Sequence, residues 1–410
     1  MGEKEESSKS FWKGLVTGLG VALMIVALGV MASKVIRTFQ MVGIIPSGAK
    51  ESVANSQTVE KLSILEDTIQ KYFWKAVSEE ELEEGVYKGI LESLEDPYSV
   101  YYTPEELLEL QQQTEGIYYG IGAYISQNTD KGYVQISKVM KNTPAEESGL
   151  LQGDYIYKVN GEDMLDKDSS YVVSKIKGEE GTKVMMTVLR ETESEPLEIE
   201  VERRKIESPT VEYKMFDNGM AYIQIVEFDL VTTAQFEEAY KQACLDGMKG
   251  LIIDLRSNPG GNLSTVCDIA RMLLPKGLIV YTEDKYGERV EYSCDGSQQI
   301  EVPLVVLTDG YSASASEILA GAIKDYKIGT LVGTTTYGKG IVQKVISLTD
   351  GSAVKLTVST YYTPNGNNIH EKGVTPDVEV PFDAEQYVAG VDNQLERAKE
   401  ILAEKMGLNE

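Results

Sequence analysis

Ser314 and Lys339 stand 25 residues apart in a chain whose one histidine is His370. A serine hydroxyl attacks a carbonyl only when a base takes its proton. A lysine can be that base if burial or a neighbouring charge keeps it neutral. A Ser-His-Asp triad would have to use His370, and a histidine-rich metal site is impossible. Cys244, Cys267 and Cys294 are widely spaced and form no CxxC pair. Acyl transfer by a Ser-Lys pair, without metal or organic cofactor, is the chemistry these residue types offer. Gly338 and Gly340 bracket the lysine and let the backbone bring its amine close to the serine. A rival use of the same lysine is nucleotide binding, because Gly333 to Lys339 fits G-x-x-x-x-G-K. That motif needs Ser or Thr next and then a helix. Gly340 follows instead, and Ile341 to Ile346 has the pattern of a strand, so the nucleotide reading fails.

The elements around the pair are those that acyl transfer needs. Val302 to Leu307 is a continuous apolar run, as in a strand buried on both faces. Small residues follow, Ser312 to Ser316, and then a helical pattern with Ile318, Leu319, Ala322 and Ile323 on one side. A serine on such a strand-to-helix turn exposes its hydroxyl beside the free N–H groups of the helix start. A second glycine turn ends the strand Gly250 to Leu255: Arg256-Ser257-Asn258-Pro259-Gly260-Gly261 leads into a helix from Leu263. Strands and helices alternate over 206–382, which predicts an α/β sheet with its active groups at strand ends.

The remaining chain sets the context. A net charge of −26 argues against duplex nucleic acid and anionic membrane surfaces as partners. Residues 1–13 read as a cytoplasmic tail. Gly14 to Ser33 carries no charge and is longer than a signal-peptide core, so it reads as a transmembrane signal anchor. The catalytic part is then extracytoplasmic, on a single-pass protein of the cell membrane. Val30-Met31-Ala32 keeps a cleaved signal as the alternative. Residues 34–57 have linker composition, and 58–113 an N-terminal helical pattern, with Leu62, Leu65, Ile69, Tyr72 and Ala76 on one stripe. The C-terminal helix in 383–410 offers a similar stripe, Val391, Leu395, Ala398 and Leu402. The two stripes suggest a homodimer formed through the helical termini.

Residues 114–205 form a separate β-rich module. Thr143-Pro144-Ala145-Glu146 has the spacing of a capping box, and Asn160-Gly161 that of a tight hairpin. The order resembles a PDZ domain, whose Gly-hydrophobic-Gly loop donates N–H groups to a peptide's C-terminal carboxylate. That loop is Gly120-Ile121-Gly122 here.

Taken with Asp96-Pro97-Tyr98-Ser99, Leu255 to Gly261, Ser312 to Glu317, Tyr337 to Gln343, and Tyr362-Thr363-Pro364 through Asp377, the chain resembles the carboxyl-terminal processing peptidases, S41 serine proteases with a PDZ domain. The resemblance implies a crotonase/ClpP-like α/β core with an inserted PDZ domain. It implies Ser314 as nucleophile, Lys339 as general base and Gln343 as the residue that orients the lysine. Oxyanion donors would be the N–H groups of Ala315 and Gly260 or Gly261, and Asp325 would support the architecture. Substrates would be proteins or peptides with free C-termini. The chain departs from the family pattern at Thr335, Asn367, His370 and Lys177, the last at a position tied to PDZ gating. The anchor reading predicts that protein purified from membranes keeps its span, so N-terminal sequencing should begin ahead of Gly14. A first residue at Ser33 or beyond would remove the anchor.

Overall fold

The computed structural model describes residues 52–128 and 132–408. The expected tail and span lie outside the described residues, as does the linker up to residue 51. Among the described residues, no helix is long and apolar enough to cross a membrane. The chain divides into two units, Met1–Gly85 and Val86–Glu410. In the first, Asn55 accepts a hydrogen bond from the Thr58 N–H and starts the helix Ser56–Tyr72. None of that helix's residues is buried, and Leu62, Leu65 and Tyr72 of its stripe are exposed.

In the second unit, the region expected to be helical through residue 113 also holds a short strand, Val100–Tyr102. Its β-branched and aromatic residues suit a pleated edge, and it pairs antiparallel with Ala353–Tyr362. The helix Pro104–Glu115 follows, with a full capping box between Thr103 and Glu106.

The PDZ module leaves and re-enters the chain through one two-stranded ribbon. Ile117–Gly120 pairs antiparallel with Arg204–Glu207. Beyond this neck, strands Ala123–Asn128, Tyr133–Val139, Tyr155–Val159, Lys183–Leu189 and Leu197–Glu202 form a sheet in that order. Val134, Ile136, Ile156, Val184, Met186 and Val188 fill its core at 0% exposure. Asn160 and Gly161 both take positive φ, 51° and 83°, as the expected two-residue hairpin requires. The expected capping box at Thr143 does not form. The Thr143 hydroxyl donates to the carbonyls of Met140 at 2.7 Å and Gly122 at 3.2 Å, leaving it no role at the helix start. Arg203, 8% exposed, donates to the carbonyls of Ile176 and Lys175 and so closes the C-terminus of the helix Ser169–Ile176.

The part of the chain that carries Ser314 and Lys339 is built on a six-stranded sheet. Val211–Phe216 runs antiparallel to Met220–Ile225, and then Gly250–Asp254, Leu304–Thr308, Gly329–Gly333 and Val378–Glu379 follow in parallel. Gly250–Asp254 and Leu304–Thr308 are buried throughout, in keeping with the apolar runs Leu251–Ile253 and Leu304–Leu307 within them. Helices Thr232–Leu245, Leu263–Arg271 and Ala315–Tyr326 contribute to the main core on one face. The C-terminal helix Asn393–Lys405 covers the other, with Ala398 and Leu402 at 0% exposure against Ile252, Val305 and Leu307. That packing spends Ala398 and Leu402 of the expected dimer stripe on the chain's own sheet, while Val391 stays exposed. A second sheet holds Val100–Tyr102, Ala353–Tyr362, Gly277–Asp284 and Arg289–Cys294, with Ile341–Ser347 also pairing Ala353–Tyr362.

Arg256 ties these layers together. Its guanidinium donates to Asp254 at 2.6 Å and to both oxygens of Asp392 at 2.8 and 2.9 Å. Asp254, 1% exposed, also accepts from the Tyr222 hydroxyl. Although burial opposes the charge, the two carboxylates hold the arginine's pKa above its ordinary value. Removing one partner leaves a buried charge unpaired. Arg256→Met should therefore lower stability by about 3–5 kcal/mol, measured as a shift in the urea midpoint at unchanged m-value.

Candidate active site

The loop that carries Ser314 is built by its neighbours' hydrogen bonds. Strand Leu304–Thr308 ends at Asp309, whose carboxylate accepts from the N–H groups of Tyr311 and Ser312, both at 2.9 Å, and of Ser257 at 3.0 Å. The Ser312 hydroxyl donates to the Leu255 carbonyl at 2.8 Å. Asn258, fully buried, accepts on its carbonyl from the Ala313 N–H and the Ser316 hydroxyl, each at 3.0 Å. Its side chain donates to the Ile225 carbonyl at 2.7 Å. This lacing joins the Arg256–Gly261 turn to the serine turn and holds Ser314 at φ 54°, ψ −113°. A residue other than glycine in such a conformation costs about 1–3 kcal/mol, and the surrounding bonds offset it.

Glu317 fixes the serine and the lysine to one point. It is 0% exposed and begins the helix Ala315–Tyr326. One carboxylate oxygen accepts from the Ser314 N–H at 2.9 Å and the Lys339 N–H at 2.8 Å. The other accepts from the Thr336 hydroxyl at 2.6 Å and the Gly338 N–H at 2.7 Å. Four donors satisfy a charge that could not otherwise be buried. Tyr361 repeats the connection from the far side. Its hydroxyl lies 2.6 Å from the Lys339 carbonyl and 3.0 Å from that of Ser314, and burial raises its pKa well above the ordinary tyrosine value. The sequence reading gave Glu317 no role of its own, although Ser314-x-x-Glu317 has the capping-box spacing that points to it.

The lysine amine does not reach the serine in this structure. Among the described residues, no hydrogen bond joins it to Ser314 or to Gln343. It stands 4.3 Å from the centroid of the Tyr98 ring, a cation–π contact. Burial first, and then the nearby Lys355, lower its pKa, while Asp96 and Glu317 act in the opposite direction. Tyr98 is held by its own motif. Asp96 accepts from the Ser99 hydroxyl at 2.6 Å and the Tyr98 N–H at 3.1 Å, and Ser99 accepts from the Thr357 N–H at 3.1 Å. Gln343 joins this cluster rather than the lysine, donating to the Thr357 hydroxyl at 3.2 Å. A cleft of ≈540 Å³ opens in front of the amine, walled by Tyr98, Tyr311, Tyr337 and Pro259.

The expected oxyanion donors are placed unequally. The Ala315 N–H opens its helix and has no acceptor among the described residues. Gly260 lies against the serine: a Cβ there would stand 2.7 Å from the Ser314 Cβ and 2.9 Å from the Ala315 nitrogen. Its N–H, however, is given to the Asn258 side-chain oxygen at 2.8 Å. His370 packs its backbone against Gly340, and its Nδ1 is buried without a partner. Asp325 accepts from the Asn365 N–H at 2.8 Å, a bond to the Thr363–Asn367 loop.

The Gly120–Gly122 loop turns its carbonyls inward. Ala145 donates to the Ile121 carbonyl at 2.8 Å and Met140 to that of Gly122 at 3.0 Å. The N–H groups of Ile121 and Gly122 have no acceptor among the described residues. The loop opens on a cleft of ≈820 Å³ walled by Ala123 and Ile125 of one strand and Val173 and Ile176 of the helix Ser169–Ile176. Gly122 has φ +84°, and the Thr143 side chain occupies the place a Cβ would need, so any larger residue deforms the loop.

Known proteins share these parts. Residues 219–380 match the model of peptidase family S41, residues 135–190 a PDZ domain, and residues 19–106 the N-terminal domain of the activating protease CtpB. The carboxy-terminal processing protease CtpB of Bacillus subtilis is 34% identical over 340 residues, covering 82% of this chain and 70% of that protein. The chain belongs to the carboxy-terminal processing proteases of family S41. It is a serine-type peptidase with a PDZ domain. A CtpA-like serine protease of Staphylococcus epidermidis is 31% identical over 405 residues, 97% of this chain and 80% of that one. A solved Bacteroides fragilis structure described as an S41 protease, 17% identical, shares the fold at a TM-score of 0.50, covering 89% of this chain and 100% of its own.

For this peptidase the Glu317 clamp makes a sharp prediction. Glu317→Gln keeps the size but turns an NH₂ toward donors that need an acceptor. Activity on a fluorogenic peptide should fall about 10²-fold, and stability by about 3 kcal/mol, read from initial rates and urea unfolding. A variant with wild-type rates would show that the clamp does not set the geometry.

Proposed function

We propose that this chain is a membrane-anchored endopeptidase that cuts proteins near their C-termini, with Ser314 as nucleophile and Lys339 as general base. The observation that carries this is one buried carboxylate, Glu317, which bonds the backbone N–H groups of both residues. A half-buried lysine with a lowered pKa is the base such a serine needs. Neutral Lys339 takes the Ser314 proton as the serine oxygen bonds to the peptide carbonyl carbon. The resulting oxyanion is met by the Ala315 N–H and, once released from Asn258, by that of Gly260. Lys339 then gives the proton to the leaving amine as the C–N bond breaks. Water, losing a proton to the same lysine, attacks the acyl carbon; the bond from that carbon to the Ser314 oxygen breaks, and the lysine returns the proton to that oxygen.

In this reading the observed arrangement is a resting state. The amine rests on Tyr98, Gln343 on Thr357, and the Gly260 N–H on Asn258. Activation swings the lysine off the ring toward Ser314 and lets Gln343 hold it there. A substrate C-terminus on the Ile121 and Gly122 N–H groups would supply the signal, since the neck Ile117–Gly120 joins that loop directly to the catalytic unit. The core is then of the crotonase/ClpP-like type and faces the outside of the cell membrane.

Three variants test the chemistry. Ser314→Ala and Lys339→Arg should both be inactive, the second although it keeps the charge, because arginine does not release its proton. His370→Ala should stay active. An ordinary lysine has a pKa of about 10.4, and here it is lowered. The neutral fraction, and with it kcat/KM, should rise about tenfold per pH unit below the folded pKa and level off above it. A folded Lys339→Arg enzyme keeping more than about a tenth of the rate would remove lysine from the role.

A further inference from the structure

The ≈820 Å³ cleft that opens at the Gly120–Gly122 loop does not end within the PDZ module. It runs past Gly116 and Tyr118 to the end of the strand Met220–Ile225, where Glu227 and Asp229 line it. Asp229 is 7% exposed, yet among the described residues no donor reaches its carboxylate. Its bonds are all made by backbone: its N–H donates to the Thr232 hydroxyl, and its carbonyl accepts from the Thr232 N–H and the Thr265 hydroxyl. Burial first, and then Glu227, push the Asp229 carboxyl up to about 7, and burial raises Glu227 as well. Most of the Asp229 side chain is covered, and the carboxylate oxygens that still open on the cleft have neither a donor nor a counter-charge among the described residues, an unfavourable setting for an anion.

We propose that Asp229, with Glu227, forms a subsite for the ammonium or guanidinium of a lysine or arginine side chain in the bound protein substrate. Ile117 and Val226 line the same cleft and give the side chain's methylene stem an apolar wall. The inference rests on the reading that substrate enters by the PDZ loop. One cation of the chain itself competes: Lys177 also lines the cleft, its amine 5.8 Å from the Tyr118 ring centroid. Among the described residues it makes no ion pair with either acid.

The test uses fluorogenic peptides that differ in one residue, lysine or norleucine, moved through successive positions upstream of the C-terminus. Each peptide is made as free acid and as amide. At one position the wild-type ratio of kcat/KM, lysine over norleucine, should be about tenfold. In Asp229→Asn, nearly identical in size, it should fall below about twofold, with unfolding temperature checked. A ratio near one at every position in the wild type overturns the subsite, and so does a ratio that survives Asp229→Asn. A loss shared equally by both peptides assigns the acids to Lys177 and overturns it too. If Asp229→Asn does not fold, Glu227→Gln decides: the ratio should drop about threefold, and an unchanged ratio overturns the proposal. The amides separate the two ideas. If amidation changes nothing while the lysine ratio still depends on Asp229, the carboxylate-reading loop is wrong and the subsite stands. If amidation slows cleavage while lysine and norleucine are equal, the loop stands and the subsite falls.

Discussion

A buried carboxylate with four donors around it is the constraint on which this molecule's chemistry depends. Glu317 can exist as an anion at 0% exposure only if every one of its lone-pair sites is filled. The groups that fill them come from the serine turn, from Thr336 and from the glycine-flanked lysine loop. Charge satisfaction and the placement of Ser314 and Lys339 are therefore one requirement. The loop at Tyr337–Gly340 cannot drift without exposing an unpaired charge, and the serine turn cannot relax its positive φ without the same loss. Tyr361 adds a second connection between the same two backbones, through their carbonyls.

The side chains are set more loosely than the backbones. Lys339 has a long stem and a contact with Tyr98 that is electrostatic but not directional. In the proposed mechanism that contact gives way to a bond with Ser314, so the side chain acts as a lever. The Asp96–Ser99–Thr357–Gln343 cluster surrounds this lever, so groups from three distant stretches of chain decide where the amine rests.

Much of this was legible in the sequence for a physical reason. Leu251 to Ile253 and Val302 to Leu307 are apolar without interruption, as strands covered on both faces are. Asn160-Gly161 specifies its turn through the φ values that few residues adopt. The strand Val100–Tyr102 was not legible, because three residues carry no period and their partner lies near the other end of the chain. The stripe Ala398 and Leu402 shows an apolar face but not what covers it, and a self-contact and a dimer leave the same pattern. Thr143 kept the spacing of a cap, while tertiary contact with Gly122 took its hydroxyl. Glu317 and Asp229 were missed alike: local sequence does not state whether a carboxylate is surrounded by donors or left without them.

Ser99 and Thr357, which meet beside the lysine, are 258 residues apart along the chain. Contacts that distant form only after a large loop has lost its freedom, and they belong to the slow end of folding. The PDZ module and most of the parallel sheet lie between them and can collapse on nearer partners. The surroundings of Lys339 are thus completed among the last events. During synthesis the chain carries its serine turn before it carries the strand Ala353–Tyr362 that holds Ser99, and through it Tyr98, in place. The long loop acts as a timer: the site is finished only when the rest of the enzyme already exists.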